Sequence, residues 1–191
     1  MSGGASSTIT LDQPEWAAAL MRQAPAARED TDRMRFALRL ARENVERAGG
    51  GGPFAAAIWR EDSGDLVSVG VNSVLRSGHS ALHAEVLAIL FAEQTLGVHA
   101  FRAPGAPPVT LVTTCEPCVM CLGAVFWSGV RRLICGAVKD DAEAVGFEEG
   151  PVTEASYHYL AAHGVEIHRA VLRQEARGVL ERYRALGRPL Y

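Results

Sequence analysis

The chain contains little lysine and no excess of positive charge. Lys139 is the single lysine among 19 cationic residues, and 22 acidic residues bring the formal net charge to −3. A protein with this balance lacks the overall positive field that attracts nucleic acid to a surface. The composition therefore argues against a nucleic-acid partner, although a local patch of arginines stays open.

Long apolar runs are missing as well. No stretch approaches the roughly 18 apolar residues of a membrane span. Residues 1–10 are rich in Ser and Gly and lack the charged start and apolar run of a signal peptide. We therefore expect no membrane association.

Cysteine is scarce outside one short stretch. Three of the four cysteines fall within residues 115–121, a clustering that is typical of a metal site and not of a disulfide framework. Reduced thiols indicate a reducing compartment, so we predict a cytoplasmic location.

The remaining composition is that of an ordinary globular protein. The 191 residues are 48% hydrophobic and 21% charged, which is enough for one domain with its own core. We predict that residues 1–29 form a partly ordered leader and that residues 30–191 form a single domain.

Periodicity predicts strands that alternate with helices. One predicted helix carries apolar residues at helical spacing: Met34, Ala37, Leu38, Ala41, Val45 and Ala48. Asp30 or Thr31 can cap its start, and a run of four glycines ends it. Further helices are predicted over residues 11–23, 81–96, 156–163 and 172–186. One more is predicted to open at Pro117, the first helical position, where a missing N–H costs least. Strands are predicted over residues 54–59, 66–71, 109–113, 131–138 and 165–171, and residues 140–149 are predicted as a loop with a helical turn. The first two strands form a hairpin, and the whole pattern indicates an α/β fold.

Two short motifs carry the chemistry: His83-Ala84-Glu85 and Pro117-Cys118-Val119-Met120-Cys121. One histidine and two cysteines suit zinc, and three protein ligands are typical of a catalytic site that keeps a position open for water. Glu85 is then the carboxylate that moves protons, since it is not needed as a ligand. This pattern is the known signature of zinc nucleobase deaminases.

We place each motif in the first turn of a helix, where the positive end of the helix dipole favours thiolates. Taken alone, Cys118 and Cys121 could instead be a buried pair or a redox dithiol. Cys115 precedes Cys118 by three residues, but Pro117 separates it from the helix. We therefore interpret Cys115 as a core cysteine at the end of a strand.

Longer segments around the motifs resemble the cytidine-deaminase-like superfamily: residues 81–86, 114–124 and 125–137. Three further segments resemble its bacterial guanine deaminases, namely Gly51-Gly52-Pro53-Phe54, Val71-Asn72 and residues 140–149. The resemblance runs from about Asp32 to the C-terminus and does not cover the leader.

The resemblance implies a three-layer α/β/α sandwich around a five-stranded mixed sheet. It also implies a homodimer whose C-terminal segments are exchanged between subunits, and the apolar stretch 119–130 supports the dimer. Carried over by position, it implies substrate contacts from Asn72, Phe54, Ala84, Trp127, Glu148 and Tyr191, with Glu149, or else Glu148, as a second proton shuttle. Simpler interpretations stay open: a core Trp127, a turn residue at Asn72 and a solvated pair of glutamates.

These residues predict zinc-dependent hydrolysis of a free purine base, most simply guanine to xanthine and ammonia. One alternative is a tRNA adenosine deaminase, which should carry a basic face. Another is deamination of a different aminated heterocycle, such as cytosine, a guanosine-type nucleoside or an amino-triazine. A zinc-binding module without catalysis is the remote alternative, and an intact Glu85 argues against it.

Overall fold

The computed structural model describes residues 10–47 and 49–191 of the chain. Predictions for residues 1–9 of the leader and for Ala48 lie outside this range. Within it the chain forms eight helices and five strands. The helices are α1 Glu15–Arg22, α2 Asp30–Glu46, α3 Val74–Ser77, α4 Ala84–Leu96, α5 Val119–Ser128, α6 Lys139–Val145, α7 Glu154–Ala162 and α8 Arg173–Ala185, and the strands are β1 Ala55–Arg60, β2 Leu66–Val71, β3 Val109–Cys115, β4 Arg132–Ala137 and β5 Glu166–His168.

The strands form one mixed sheet in the order β2-β1-β3-β4-β5. β1 pairs antiparallel with β2, as the predicted hairpin requires, and antiparallel with β3. β3, β4 and β5 run parallel to one another. The five-stranded mixed sheet is therefore confirmed.

Side chains alternate between the two faces of this sheet, and each face carries its own core. Ala55, Ala57 and Trp59 of β1 pack with residues of α2 and α8 in the first core. Ala56 and Ile58 point the other way and pack with residues of α4, α5 and α7 in the second core. Helices on both faces of one sheet make the three-layer α/β/α sandwich that was predicted.

The apolar stripe predicted for α2 faces the first core. Its members are fully buried where the structure describes them: Met34, Ala37, Leu38, Ala41 and Val45. Asn44 lies on the same stripe and is only 2% exposed, so one polar side chain stands among apolar ones.

Some predicted boundaries are wrong. The last strand is shorter than residues 165–171, because the backbone turns left-handed at Ala170 and Leu172, with φ of 61° and 53°. Residues 139–145 form a helix inside the predicted loop, and α3 was not predicted. α7 begins at Glu154, before residue 156, and the Ser156 hydroxyl accepts from the Thr153 N–H at 3.3 Å across its first turn.

The leader contributes a short helix to the first core. Ala17 of α1 is fully buried there, and the side-chain amide of Gln13 donates to the Val69 carbonyl at 3.0 Å. The division of the chain at residue 29 stays a prediction. No helix in the described ranges is long and apolar enough to cross a bilayer.

One edge of the sheet gathers several strand ends. β3 and β4 are parallel, so their carboxyl ends lie side by side, and the antiparallel β1 starts at that same edge. β2 ends opposite the start of β1, since Val71 pairs with Ala55. Phe54, Asn72 and Glu116 therefore lie along one edge, which is where open α/β sheets commonly place their sites.

Candidate metal centre and substrate pocket

His83 and Cys118 each stand at the N-cap of a helix. Both have extended backbones, with φ/ψ of −70°/158° at His83 and −64°/172° at Cys118. Their carbonyls accept the first helical hydrogen bonds, from the Leu87 N–H at 3.1 Å and the Leu122 N–H at 2.8 Å. The two ligands therefore lie one position before the predicted first turn, but still at the positive helix ends.

Pro117 consequently stands before the N-cap of α5, not at its first helical position as predicted. The extended backbone of Cys118 follows the proline directly, and the helix begins at Val119. Cys121 then falls in the first turn, three residues beyond Cys118, so both sulfurs face the same side.

The structure brings the three predicted metal ligands together. The ligand atoms of His83, Cys118 and Cys121 all lie within 4.8 Å of one another. The Cys118 Sγ lies 3.5 Å from the His83 Nδ1. One nitrogen and two sulfurs from two helix starts fit the borderline character of zinc.

Cys115 is not part of this group. It is 2% exposed, it belongs to the first core, and its Sγ lies 3.9 Å from the Val138 carbonyl. Its position agrees with the interpretation of Cys115 as a core cysteine at the end of β3.

The two sulfurs differ in how readily they lose a proton. Hydrogen bonding from the Cys121 thiol lowers the pKa of Cys118 to about 4, against the opposing effect of burial, and His83 assists. The pKa of Cys121 is raised in turn, because its thiol donates to Cys118 and is buried. Burial lowers the pKa of His83, but the contact with Cys118 raises it overall. A bound divalent cation would deprotonate both thiols.

Glu85 lies beside the ligands without being one of them. It is 6% exposed, its carboxyl accepts from the Thr113 hydroxyl at 3.2 Å, and its Oε2 lies 3.4 Å from the Cys121 Sγ. Burial first, and then the negative charge of Cys118, raise the pKa of Glu85. A carboxyl with a raised pKa beside a metal site is suited to carrying protons.

A small cavity opens onto these groups. Its volume is about 20 Å³, which is room for roughly one water. Its lining consists of Phe54, His83, Glu85, Glu116, Cys118, Phe147, Glu148, Glu149 and Tyr191. Seven of the predicted site residues therefore meet in one place.

Glu148 and Glu149, the two candidate proton shuttles, both line the cavity but differ in burial. Glu149 is 8% exposed, and burial together with the charges of Glu85 and Cys118 raises its pKa to about 8. Glu148 is exposed, and its carboxylate accepts from the Gly150 N–H at 3.1 Å. Glu149 is thus the buried carboxyl of the pair.

Asn72 lies next to the cavity wall. Its backbone N–H donates to the Phe54 carbonyl at 3.0 Å, and its Oδ1 accepts from the Val74 N–H at 3.2 Å. Its Nδ2 is buried and lacks a hydrogen-bond partner within the described part of the chain. Such a donor is costly to leave unpaired, which indicates a position kept for a ligand.

Like Asn72, two further predicted substrate contacts are absent from the lining of the cavity. Ala84 is fully buried at the start of α4 and is not part of the lining. Trp127 is 70% exposed, and its ring packs on Phe126 with the centroids 5.2 Å apart.

Tyr191 lies in the cavity of its own chain, whereas the resemblance implied the neighbouring subunit. Its ring meets Phe147 edge-on at 5.5 Å. Its hydroxyl is buried, and no described residue forms a hydrogen bond with it. Exchange of C-terminal segments stays a prediction.

The sequence analysis missed Phe147 and Glu116. Phe147 meets Phe54 edge-on at 4.8 Å, so the two rings form one apolar wall. Glu116 is 3% exposed, forms an ion pair with Arg169 and accepts from the Lys139 N–H at 2.9 Å. A charged residue directly before the motif Pro117–Cys121 was the available signal for Glu116.

Comparison with known proteins agrees with this geometry. The family model described as cytidine and deoxycytidylate deaminase zinc-binding region matches residues 27–137. The guanine deaminase of Bacillus subtilis is 38% identical over 116 residues, which are 61% of this chain and 69% of that protein. The tRNA-specific adenosine deaminase of Bacillus subtilis is 31% identical over 121 residues, 63% of this chain and 70% of that protein.

A solved structure extends the similarity to nearly the whole chain. The guanine deaminase from Nitrosomonas europaea superposes with a TM-score of 0.89 at 40% identity, covering 96% of this chain and 100% of that one. The matched family region contains all three metal ligands and Glu85. The chain therefore belongs to the family defined by the cytidine and deoxycytidylate deaminase zinc-binding region.

Proposed function

We propose that this chain is a zinc-dependent hydrolase that converts guanine and water to xanthine and ammonia. The observation that carries the proposal is a cavity lined by two buried carboxyls, Glu85 and Glu149, and by two members of the metal-ligand cluster, His83 and Cys118. The third member of that cluster, Cys121, lies behind the cavity wall within 4.8 Å of both. The related guanine deaminases, at 38% and 40% identity, support the choice of guanine.

The chemistry divides among these groups. His83, Cys118 and Cys121 would hold the zinc, which supplies a hydroxide nucleophile near neutral pH. Glu85 takes the proton of the attacking water and delivers it to a ring nitrogen, while the oxygen adds at C2. Glu149 takes the remaining proton of the added hydroxyl and passes it to the departing amine, the C2–N bond breaks as the C2 carbonyl forms, and ammonia leaves.

Recognition of the base would fall to the other side of the cavity. Asn72 can donate its unpaired Nδ2–H to the O6 of guanine. Adenine presents an amine at that position, so a buried donor would be left unpaired at a cost of about 1–3 kcal/mol. The rings of Phe54 and Phe147 would offer the base one apolar wall, and we assign Ala84 and Trp127 to further contacts in the assembled enzyme.

We further propose a cytoplasmic homodimer that joins through α5. Val119, Met120 and Trp127 are 49%, 37% and 70% exposed, which leaves an apolar face on this helix. A second copy packed there would bury these side chains and supply Trp127 to an adjoining site. Light scattering should give about twice 20.5 kDa, and a monomer at high concentration would refute the dimer.

Ammonia release tests the substrate. We expect kcat/KM for guanine to exceed that for adenine, cytosine and cytidine by several orders of magnitude, since a site built to hydrogen-bond can reject an analogue by ~10⁴–10⁵. Faster turnover of adenine, of cytosine or of a tRNA anticodon stem would contradict guanine as the substrate. A fast amino-triazine would broaden the specificity and leave the mechanism intact.

A further inference from the structure

Asn44 is a buried polar side chain that contacts neither the metal ligands nor the cavity. It lies on the apolar stripe of α2 and is 2% exposed. Its Nδ2 donates to the Gly52 carbonyl at 2.9 Å and to the Asn72 carbonyl at 3.0 Å. Its Oδ1 accepts from the Gly51 N–H at 3.2 Å. The amide thus uses both donor hydrogens and one acceptor position on two separate segments.

The two segments that Asn44 joins approach each other very closely. A Cβ added at Gly51 would lie 1.9 Å from the Asn72 carbonyl oxygen and 2.8 Å from the Asn44 Nδ2. The backbones therefore touch without an intervening side chain. The Asn72 N–H to Phe54 carbonyl bond, at 3.0 Å, continues the same junction. The side chain of Asn44, which belongs to α2, hydrogen-bonds to both segments at this junction.

Both segments carry residues that face the base. The first ends at Phe54, which lines the cavity, and the second contains Asn72, whose Nδ2 has no partner in the described structure. The metal ligands and Glu85, in contrast, belong to α4 and α5, and no hydrogen bond links them to Asn44. A change at Asn44 should consequently disturb one half of the site and spare the other.

We propose that Asn44 is a positioning residue for base recognition, which sets where the Asn72 amide and the Phe54 ring meet the substrate. The inference rests on the proposed function, because it assigns the recognised group to the base. Replacing Asn44 by Ala leaves the Gly51 N–H and two carbonyls without partners in a buried place. The junction must then shift or admit water.

Steady-state kinetics provide the first test. We expect Asn44→Ala to raise KM for guanine about tenfold or more, as the loss of buried hydrogen bonds typically does, with kcat within about threefold of wild type. Val45→Ala is the matched control, since it trims a fully buried side chain one position along the same helix. It should lower the melting temperature and leave KM unchanged. An equal rise in KM for both variants, or no rise for Asn44→Ala, would overturn the proposal.

A double-mutant cycle shows whether Asn44 acts through Asn72. If it does, Asn44→Ala should raise KM much less in an Asn72→Ala background than in wild type, because its effect is already lost. Fully additive effects would mean that Asn44 serves stability alone. Asn44→Asp gives a second variant of the same size: it keeps the acceptor for Gly51 but turns an oxygen towards two carbonyls, so KM should rise at least as much.

Amide hydrogen exchange in the folded protein decides the positioning role without any substrate. Asn44→Ala should speed exchange at residues 51–55 and 72–74 and leave residues 84–88 and 119–122 near the wild-type rate. Uniform acceleration, or none, would contradict the proposal. If wild type releases no ammonia from guanine while the exchange pattern appears, the proposed substrate fails and the positioning role stands.

Discussion

The metal-binding half of the site and the half that we propose faces the base, called the base-facing half, are built in different ways. The first consists of His83, Cys118 and Cys121, placed by the starts of α4 and α5. The second combines the segment before β1, the end of β2, the loop after α6 and the C-terminus, represented by Phe54, Asn72, Glu149 and Tyr191. One half depends on two helices, whereas the other depends on four separated segments.

This difference indicates which half of the site should tolerate changes and which should not. Ligands at helix starts keep their positions as long as α4 and α5 pack in the second core. The base-facing segments are joined by a few hydrogen bonds, several of them through Asn44. Substitutions that move the metal ligands should therefore abolish metal binding. Small shifts of the base-facing segments, in contrast, should change which base is preferred.

Removal of a metal ligand should have the largest effect and leave the base-facing half in place. We expect Cys121→Ala to reduce zinc from about one per chain to near zero and to abolish ammonia release. Metal analysis alongside activity provides the measurement. Cys115→Ala is the control, because Cys115 is equally buried but belongs to the core. Loss of zinc from that variant too would indicate a closed site with four protein ligands.

Glu85→Gln should come next, because it removes the proton carrier and not a ligand. We expect zinc to remain and kcat to fall by ~10²–10⁴, the usual contribution of general acid–base catalysis. Glu93→Gln, on the same helix α4, should keep the wild-type rate. A Glu85→Gln enzyme that holds zinc and turns over normally would show that another group moves the proton.

The two neighbouring glutamates allow a sharper comparison inside the base-facing half. Glu149→Gln should lower kcat by about 10², the lower end of the range, because Glu85 still transfers one proton. Glu148→Gln should change kcat little, because Glu148 is exposed and already bonds the Gly150 N–H. Rate profiles of both variants against pH are the measurement. The reverse ranking would exchange their roles.

The metal-binding half could be predicted from the sequence almost completely. His83, Glu85, Cys118 and Cys121 fall within two short motifs, so spacing along the helices fixes their neighbourhood. The prediction failed by one residue at the helix starts, because an N-cap adopts an extended backbone that spacing does not reveal.

The base-facing half could be predicted only in part. Phe54, Glu149 and Tyr191 were expected and do line the cavity, while Phe147 and Glu116 were missed. Their roles depend on contacts between segments far apart in the chain, which no local pattern encodes. Asn44 left a readable signal, a polar residue on an apolar helical stripe, but its three partners lie at residues 51, 52 and 72.

The smallest expected effect concerns the helix that leads to the Glu148–Glu149 loop. Asp141 of α6 is 5% exposed and accepts two hydrogen bonds from the Arg173 guanidinium, at 2.8 and 3.0 Å. It also accepts from the Val138 N–H at 3.1 Å. Hydrogen bonding to Arg173, against the opposing effect of burial, holds the pKa of Asp141 below its usual value.

A carboxyl with a lowered folded-state pKa stabilises the protein above its unfolded-state pKa of about 3.9, and this stability is lost as the pH falls through the folded-state value. Asp141→Asn should therefore lower the free energy of unfolding by about 1–3 kcal/mol at pH 7, and its difference from wild type should shrink below about pH 4. Asp140→Asn makes the same charge change at an exposed neighbour and should be nearly silent in urea unfolding at both pH values. Because no residue of α6 lines the cavity, kcat/KM for guanine should stay within about threefold in both variants. A constant difference across pH would show that Asp141 contributes through shape alone, and a large loss of kcat/KM would show that α6 also sets the position of Glu149.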